Sequence, residues 1–165
     1  MVTAADKIRP AIPARSDVAC RTTPSGWALR AVVSAHVVAI FGQPVFAGVF
    51  LSGDYEGLRL HEAGANVTTS VGYVQLIVAI VVWVRLRRVS PLLGTLALVA
   101  AETVQYFAGM EGALWLHFPL GVATIAALVV QFVGVWRRPL IRRDEARRAQ
   151  LRKVAEPKQQ ETDDE

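Results

Sequence analysis

Hydrophobic positions run almost unbroken from Trp27 to Trp136, whereas residues 1–26 and 137–165 are polar. Short polar breaks divide the apolar stretch into runs of about Trp27–Leu51, Ala63–Val84, Leu92–Met110 and Ala113–Trp136. Each is close to the roughly 20 residues a helix needs to cross a bilayer. Barrel strands are short and alternate in polarity, with about 10 residues each, so continuous runs of this length exclude them. The pattern predicts an all-α polytopic membrane protein, a four-transmembrane-helix bundle built of two parallel helical hairpins. A disordered N-terminal segment (1–26) precedes the transmembrane domain (27–136). A tail (137–165) follows it, basic at first and then acidic.

Composition and charge sharpen this reading. The chain is 53% hydrophobic and only 19% charged, which excludes a water-soluble globule and a disordered protein. Its single cysteine, Cys20, excludes a disulfide scaffold and a multi-cysteine metal site, and leaves only a weak acylation signal. The N-terminal segment lacks the apolar core of a cleaved signal peptide. Of the 18 Lys and Arg, all but Arg59 fall at or before the start of the first helix, between the second and third, or after the fourth. The positive-inside bias therefore predicts a cell-membrane protein with both termini cytoplasmic. It also accounts for the net charge of +4 without a nucleic-acid partner. The expected partner is the lipid bilayer. From Arg137 to Val154 the tail has the makings of a basic surface helix, but its thin apolar stripe favours a solvated stop-transfer flank. Asn66-Val67-Thr68 matches a glycosylation sequon too close to the second helix to be a convincing acceptor.

The two halves repeat. The first helix ends in Gln43-Pro44-Val45-Phe46-Ala47-Gly48 and the third in Gln105-Tyr106-Phe107-Ala108-Gly109. Each is followed by Glu-Gly and then Leu-His: Glu56-Gly57 to Leu60-His61, and Glu111-Gly112 to Leu116-His117. Each histidine is expected to open the next helix, with Gly64 or Gly121 close behind. Parallel repeats are related by a pseudo-two-fold axis along the membrane normal, so His61 and His117 should face each other at similar depth. Two such imidazoles suit the axial positions of one haem iron, here a b-type haem. Gly64 and Gly121 would admit the ring, and Arg59 is the outer cation available to its propionates. The alternative is a pair of interfacial histidines without a ligand. Zinc fits less well, since only nearby Glu62 joins the two histidines.

Through Leu60-His61-Glu62 and Leu116-His117-Phe118-Pro119-Leu120-Gly121, the chain resembles one half of haem A synthase. It is also similar to small four-helix bacterial membrane proteins of uncharacterised function. The resemblance spans about Val32 to Val135 and implies paired histidines holding haem. The chain departs from that family in having one bundle instead of two. It also departs at the family's glutamate just before the second-helix ligand: here Glu56 lies further upstream and Glu62 follows His61.

A second polar layer lies deeper. Glu102 sits among apolar neighbours in the third helix, where a charged side chain is costly. His36 and Gln75 fall at a similar depth by counting helical rise. These residues are expected to form a proton path, a quinone-headgroup site, or a network that pins helix packing. Two function classes follow. One is a membrane cytochrome passing electrons between a quinone and a redox partner protein. The other is a non-redox transporter or assembly subunit built around Glu102. Whether the chain is an enzyme is left open.

Overall fold

The computed structural model describes residues 22–142, 144, 146–148, 150 and 151. Readings made on Cys20, the N-terminal segment before Thr22 and the acidic end of the tail lie outside the described residues. Helices α1 (Pro24–Leu51), α2 (Glu56–Leu86), α3 (Ser90–Met110) and α4 (Leu114–Arg137) form the body, and no strand occurs among the described residues. All four are long and apolar enough to cross a membrane, as expected of a multi-pass membrane protein. α1 packs against α2 and α4, and α3 against the same two, so the helices stand in chain order around a common axis.

Local chemistry sets the helix ends. Thr23 caps α1, its hydroxyl accepting from Gly26 N–H at 3.3 Å, and Pro24 occupies a first-turn position where no N–H is needed. Gly53 (φ +98°) and Gly112 (φ +68°) turn the chain at one end of the bundle. These two glycines, not the Glu-Gly pairs aligned from sequence, are the conformational equivalents. Gly57 instead lies inside α2, where a Cβ would run into the α1 backbone at Phe50 N. α2 also starts earlier than its apolar run suggests, because the polar residues from Glu56 still form helix. His61 therefore lies in the second turn of α2 and does not open it.

The bundle interior has two zones. Near the chain termini it is dry: Leu29, Val33, Val82 and Leu128 are all at 0% exposure. There Arg30 runs under the end of α4, donating to the carbonyls of Val135 (3.2 Å) and Arg138 (3.2 Å) between the rings of Trp27 and Trp136. Leu140 and Ile141 are buried as well, and Leu140 O accepts from Thr23 N–H at 3.1 Å. The tail thus begins as a strap under α1, not as a solvated flank, because its two apolar residues have a helix end to cover. The outward faces carry large apolar side chains such as Val38, Ile77, Val122 and Val130, the surface a bilayer solvates. Toward the other end of the bundle the interior turns polar.

Candidate functional site at the histidine end

The repeat is realised in contacts. His61 Nδ1 lies 3.1 Å from the carbonyl oxygen of Gln43, and His117 Nδ1 lies 2.9 Å from that of Gln105. A carbonyl only accepts, so each ring carries its proton on Nδ1 and donates it there. Both Nε2 atoms are left as acceptors. The two rings lie 6.0 Å apart, centroid to centroid, with planes at 72°. They thus meet across the bundle as the repeat predicts.

Glycines make room for this arrangement, though not in the expected way. A Cβ on Gly109 would come within 3.0 Å of the His117 ring. A Cβ on Gly64 would run into Gln43 Nε2, and one on Gly121 would meet Gln105 Nε2 at 2.8 Å. Gly64 and Gly121 therefore seat the amides of the same glutamines whose carbonyls hold the histidines. Arg59 turns away from the rings, donating from Nε to Glu56 Oε1 at 3.0 Å on the exposed surface.

Below the histidines lies a chamber of about 60 Å³, bordered by Gln43, Thr68, Glu102 and Gln105. At its floor, His36 Nε2 and Glu102 Oε1 are 2.9 Å apart, within ion-pair distance but poorly aligned for a hydrogen bond. His36 Nδ1 donates to Gln75 Oε1 at 2.9 Å. Gln75 Nε2 donates to Thr95 Oγ1 and to Gln131 Oε1, both at 3.2 Å. Gln131 Nε2 donates to Thr95 Oγ1 at 2.8 Å and to Pro91 O at 3.3 Å. The structure thus brings His36, Gln75 and Glu102 together as expected and adds Thr95 and Gln131. Gly72 is what admits the pair, since a Cβ there would meet Glu102 Oε2 at 2.7 Å.

A longer repeat comes into view here. His61, Thr68 and Gln75 follow one another at seven-residue steps along α2, and His117, Thr124 and Gln131 do the same along α4. Thr68, Gln75 and Thr124 are all buried, and the last rung is a direct Gln75–Gln131 hydrogen bond. Reading His-x6-Thr-x6-Gln in both halves finds Thr68, Thr124 and Gln131, which inspection for titratable groups passes over.

Asn66 accepts from Tyr106 O–H at 3.1 Å, beside a groove of about 270 Å³ between α2 and α3. No group of three or more His, Cys, Asp or Glu side chains suited to a metal ion occurs among the described residues. No protein-family model, curated protein or solved structure matches the chain.

Proposed function

We propose that the protein is a membrane electron-transfer protein holding one b-type haem between His61 and His117, with both chain termini on the cytoplasmic side. The observation that carries this reading is the matched pair of histidines. Each ring is oriented by an Nδ1–H bond to a backbone carbonyl, the usual support of a metal-ligating histidine, which frees Nε2 for the metal. With its rings 6.0 Å apart, the pair would hold the group between α2 and α4. The chain's single cysteine argues against covalent haem attachment.

The pair of imidazoles fits the group, whereas the space beside them does not hold a macrocycle in this arrangement. As it stands, the chamber of about 60 Å³ is far smaller than a macrocycle needs. The Gln43 amide makes no protein hydrogen bond through either atom, so swinging it off Gly64 breaks none. Gln105 would leave Gly121 in the same way. Held by His61 and His117, the group would supply one-electron transfer. The protein's own part is to fix both rings and to shield the site from lipid. A quinol donor would dock in the α2–α3 groove, which shares Thr69 and Tyr106 with the chamber.

The test is a visible spectrum of the purified, haem-supplied protein, oxidised and then reduced. A low-spin Soret band is expected, and its absence would sink the cytochrome reading. Labelling of a cysteine placed at position 55 from the outer side supports the orientation, and labelling from the cytoplasm rejects it. The second reading, a transporter or assembly subunit, draws on the chamber at Glu102. Substrate-dependent proton flux abolished by Glu102→Gln would favour it.

A further inference from the structure

We infer that the Glu102–His36 pair is a buried proton-exchange site, wetted from the histidine end of the bundle and sealed at the other. The chamber has Glu102 at one limit and His61 and His117 at the other, and its volume of about 60 Å³ is room for a few waters. Glu102, Thr68 and Gln43 are 6%, 5% and 9% exposed. Yet both Glu102 oxygens, Thr68 Oγ1 and both Gln43 amide atoms lack a protein hydrogen-bond partner. Buried polar groups in that condition are ordinarily bonded to ordered water, since leaving them bare is costly.

Toward the chain termini the arrangement is the opposite. His36, Gln75 and Thr95 are at 0% exposure, and His36 Nδ1, the Gln75 amide and Thr95 Oγ1 bond to one another and to Gln131. Beneath them the interior is Leu29, Val33, Val82 and Leu128. Water therefore reaches Glu102 from one side only.

The chemistry of the pair suits exchange. Gln75 Nε2 is committed as a donor, so Gln75 Oε1 accepts from His36 Nδ1–H. His36 Nε2 then lies 2.9 Å from Glu102 Oε1, close enough for one proton to pass between them on a small reorientation. That proton sits on the imidazole in the charged pair and on the carboxyl in the neutral pair, with the same total charge. A proton taken up from the chamber, or released to it, changes that total by one. The titratable groups facing the pair are His36 from α1, His61 from α2 and His117 from α4, with Tyr106 of α3 lining the chamber.

The experiment uses haem-free, full-length protein in micelles with nitrogen-15-labelled histidine, so its outcome does not depend on the haem reading. The chain has 3 histidines, and the two other signals are assigned with His61→Ala and His117→Ala. The observable is the deuterium exchange rate of the His36 ring protons. Ala65 lines the chamber, and Ala65→Leu, which fills it, should slow exchange about tenfold or more. Thr95→Val, which disturbs the sealed side, should leave the rate within about twofold. Far-ultraviolet circular dichroism and a cooperative thermal transition report folding; if Ala65→Leu does not fold, Thr69→Leu fills the chamber in its place. An unchanged rate in the filled variant, or marked acceleration in Thr95→Val, would overturn the assignment.

Discussion

The rungs His61/His117, Thr68/Thr124 and Gln75/Gln131 come in matched pairs from α2 and α4, whereas His36 and Glu102 come singly from α1 and α3. Aligning Gln43 with Gln105 puts Leu98 opposite His36 and Ile40 opposite Glu102. Aligning His61 with His117 puts Leu128 opposite Gly72, the glycine that makes room for the Glu102 carboxylate. One polar region therefore keeps the repeat and the other breaks it. A ligand gripped from two sides calls for equal groups at equal depth. A proton shared by one acid and one base needs two unlike groups and room for a single pair.

Removing a rung should have the largest effect. His61→Ala and His117→Ala are each expected to abolish low-spin haem completely, while His36→Ala keeps it. A visible spectrum decides, and an unchanged spectrum in His117→Ala would reject the ligand assignment while keeping the haem. Next comes the asymmetry itself. Gly72→Ala drives a methyl into Glu102 Oε2 and should cost about 1–3 kcal/mol by overpacking. Combining it with His36→Leu and Glu102→Ile makes the layer apolar, as its counterpart already is. Stability should recover part of that loss, because the clash goes with the pair, while Gln75 Oε1 loses its donor at a cost of about 1 kcal/mol. Unfolding midpoints of the single and triple variants check this.

Smaller effects separate packing from hydrogen bonding. Glu102→Leu leaves His36 Nε2 facing an apolar group and should cost about 1–3 kcal/mol, with Glu102→Gln milder. Equal thermal stability of wild type and both variants would remove any structural role for the pair. Smallest is the contrast between two threonines. Thr95 accepts from Gln75 and from Gln131, so Thr95→Val should cost roughly 1 kcal/mol. Thr124 bonds only its own helix at Leu120 O, and Thr124→Val should cost a few tenths. Equal losses would mean that the Gln75–Thr95–Gln131 tie contributes nothing.

The helices were legible because length and hydropathy act on every residue of a span. The facing of His61 and His117 was legible because a duplicated segment repeats its contacts. The role of Gly64 and Gly121 was not, since a glycine shows that something approaches closely but not what. Here it is Gln43 and Gln105, whose side chains reach across a helix interface that no local pattern reveals. Gln131 escaped notice because neutral amides carry no charge signal, and only its seven-residue step from Thr124 marks it. Leu140 and Ile141 read as part of a polar tail, because their burial depends on where α1 begins in space.

The seven-residue step constrains the winding of the bundle. Two turns of a straight α-helix need slightly more than seven residues, so positions seven apart drift by about 20°. From His61 to Gln75 that amounts to about 40°, enough to carry the last rung off the face that holds the first. For each ladder to stay on the bundle axis, α2 and α4 must coil about that axis with a left-handed twist, as heptad-repeating helices do. An insertion of a single residue between Thr68 and Gln75 would turn the glutamine by about 100° and break the cross-bundle tie while leaving the histidines facing.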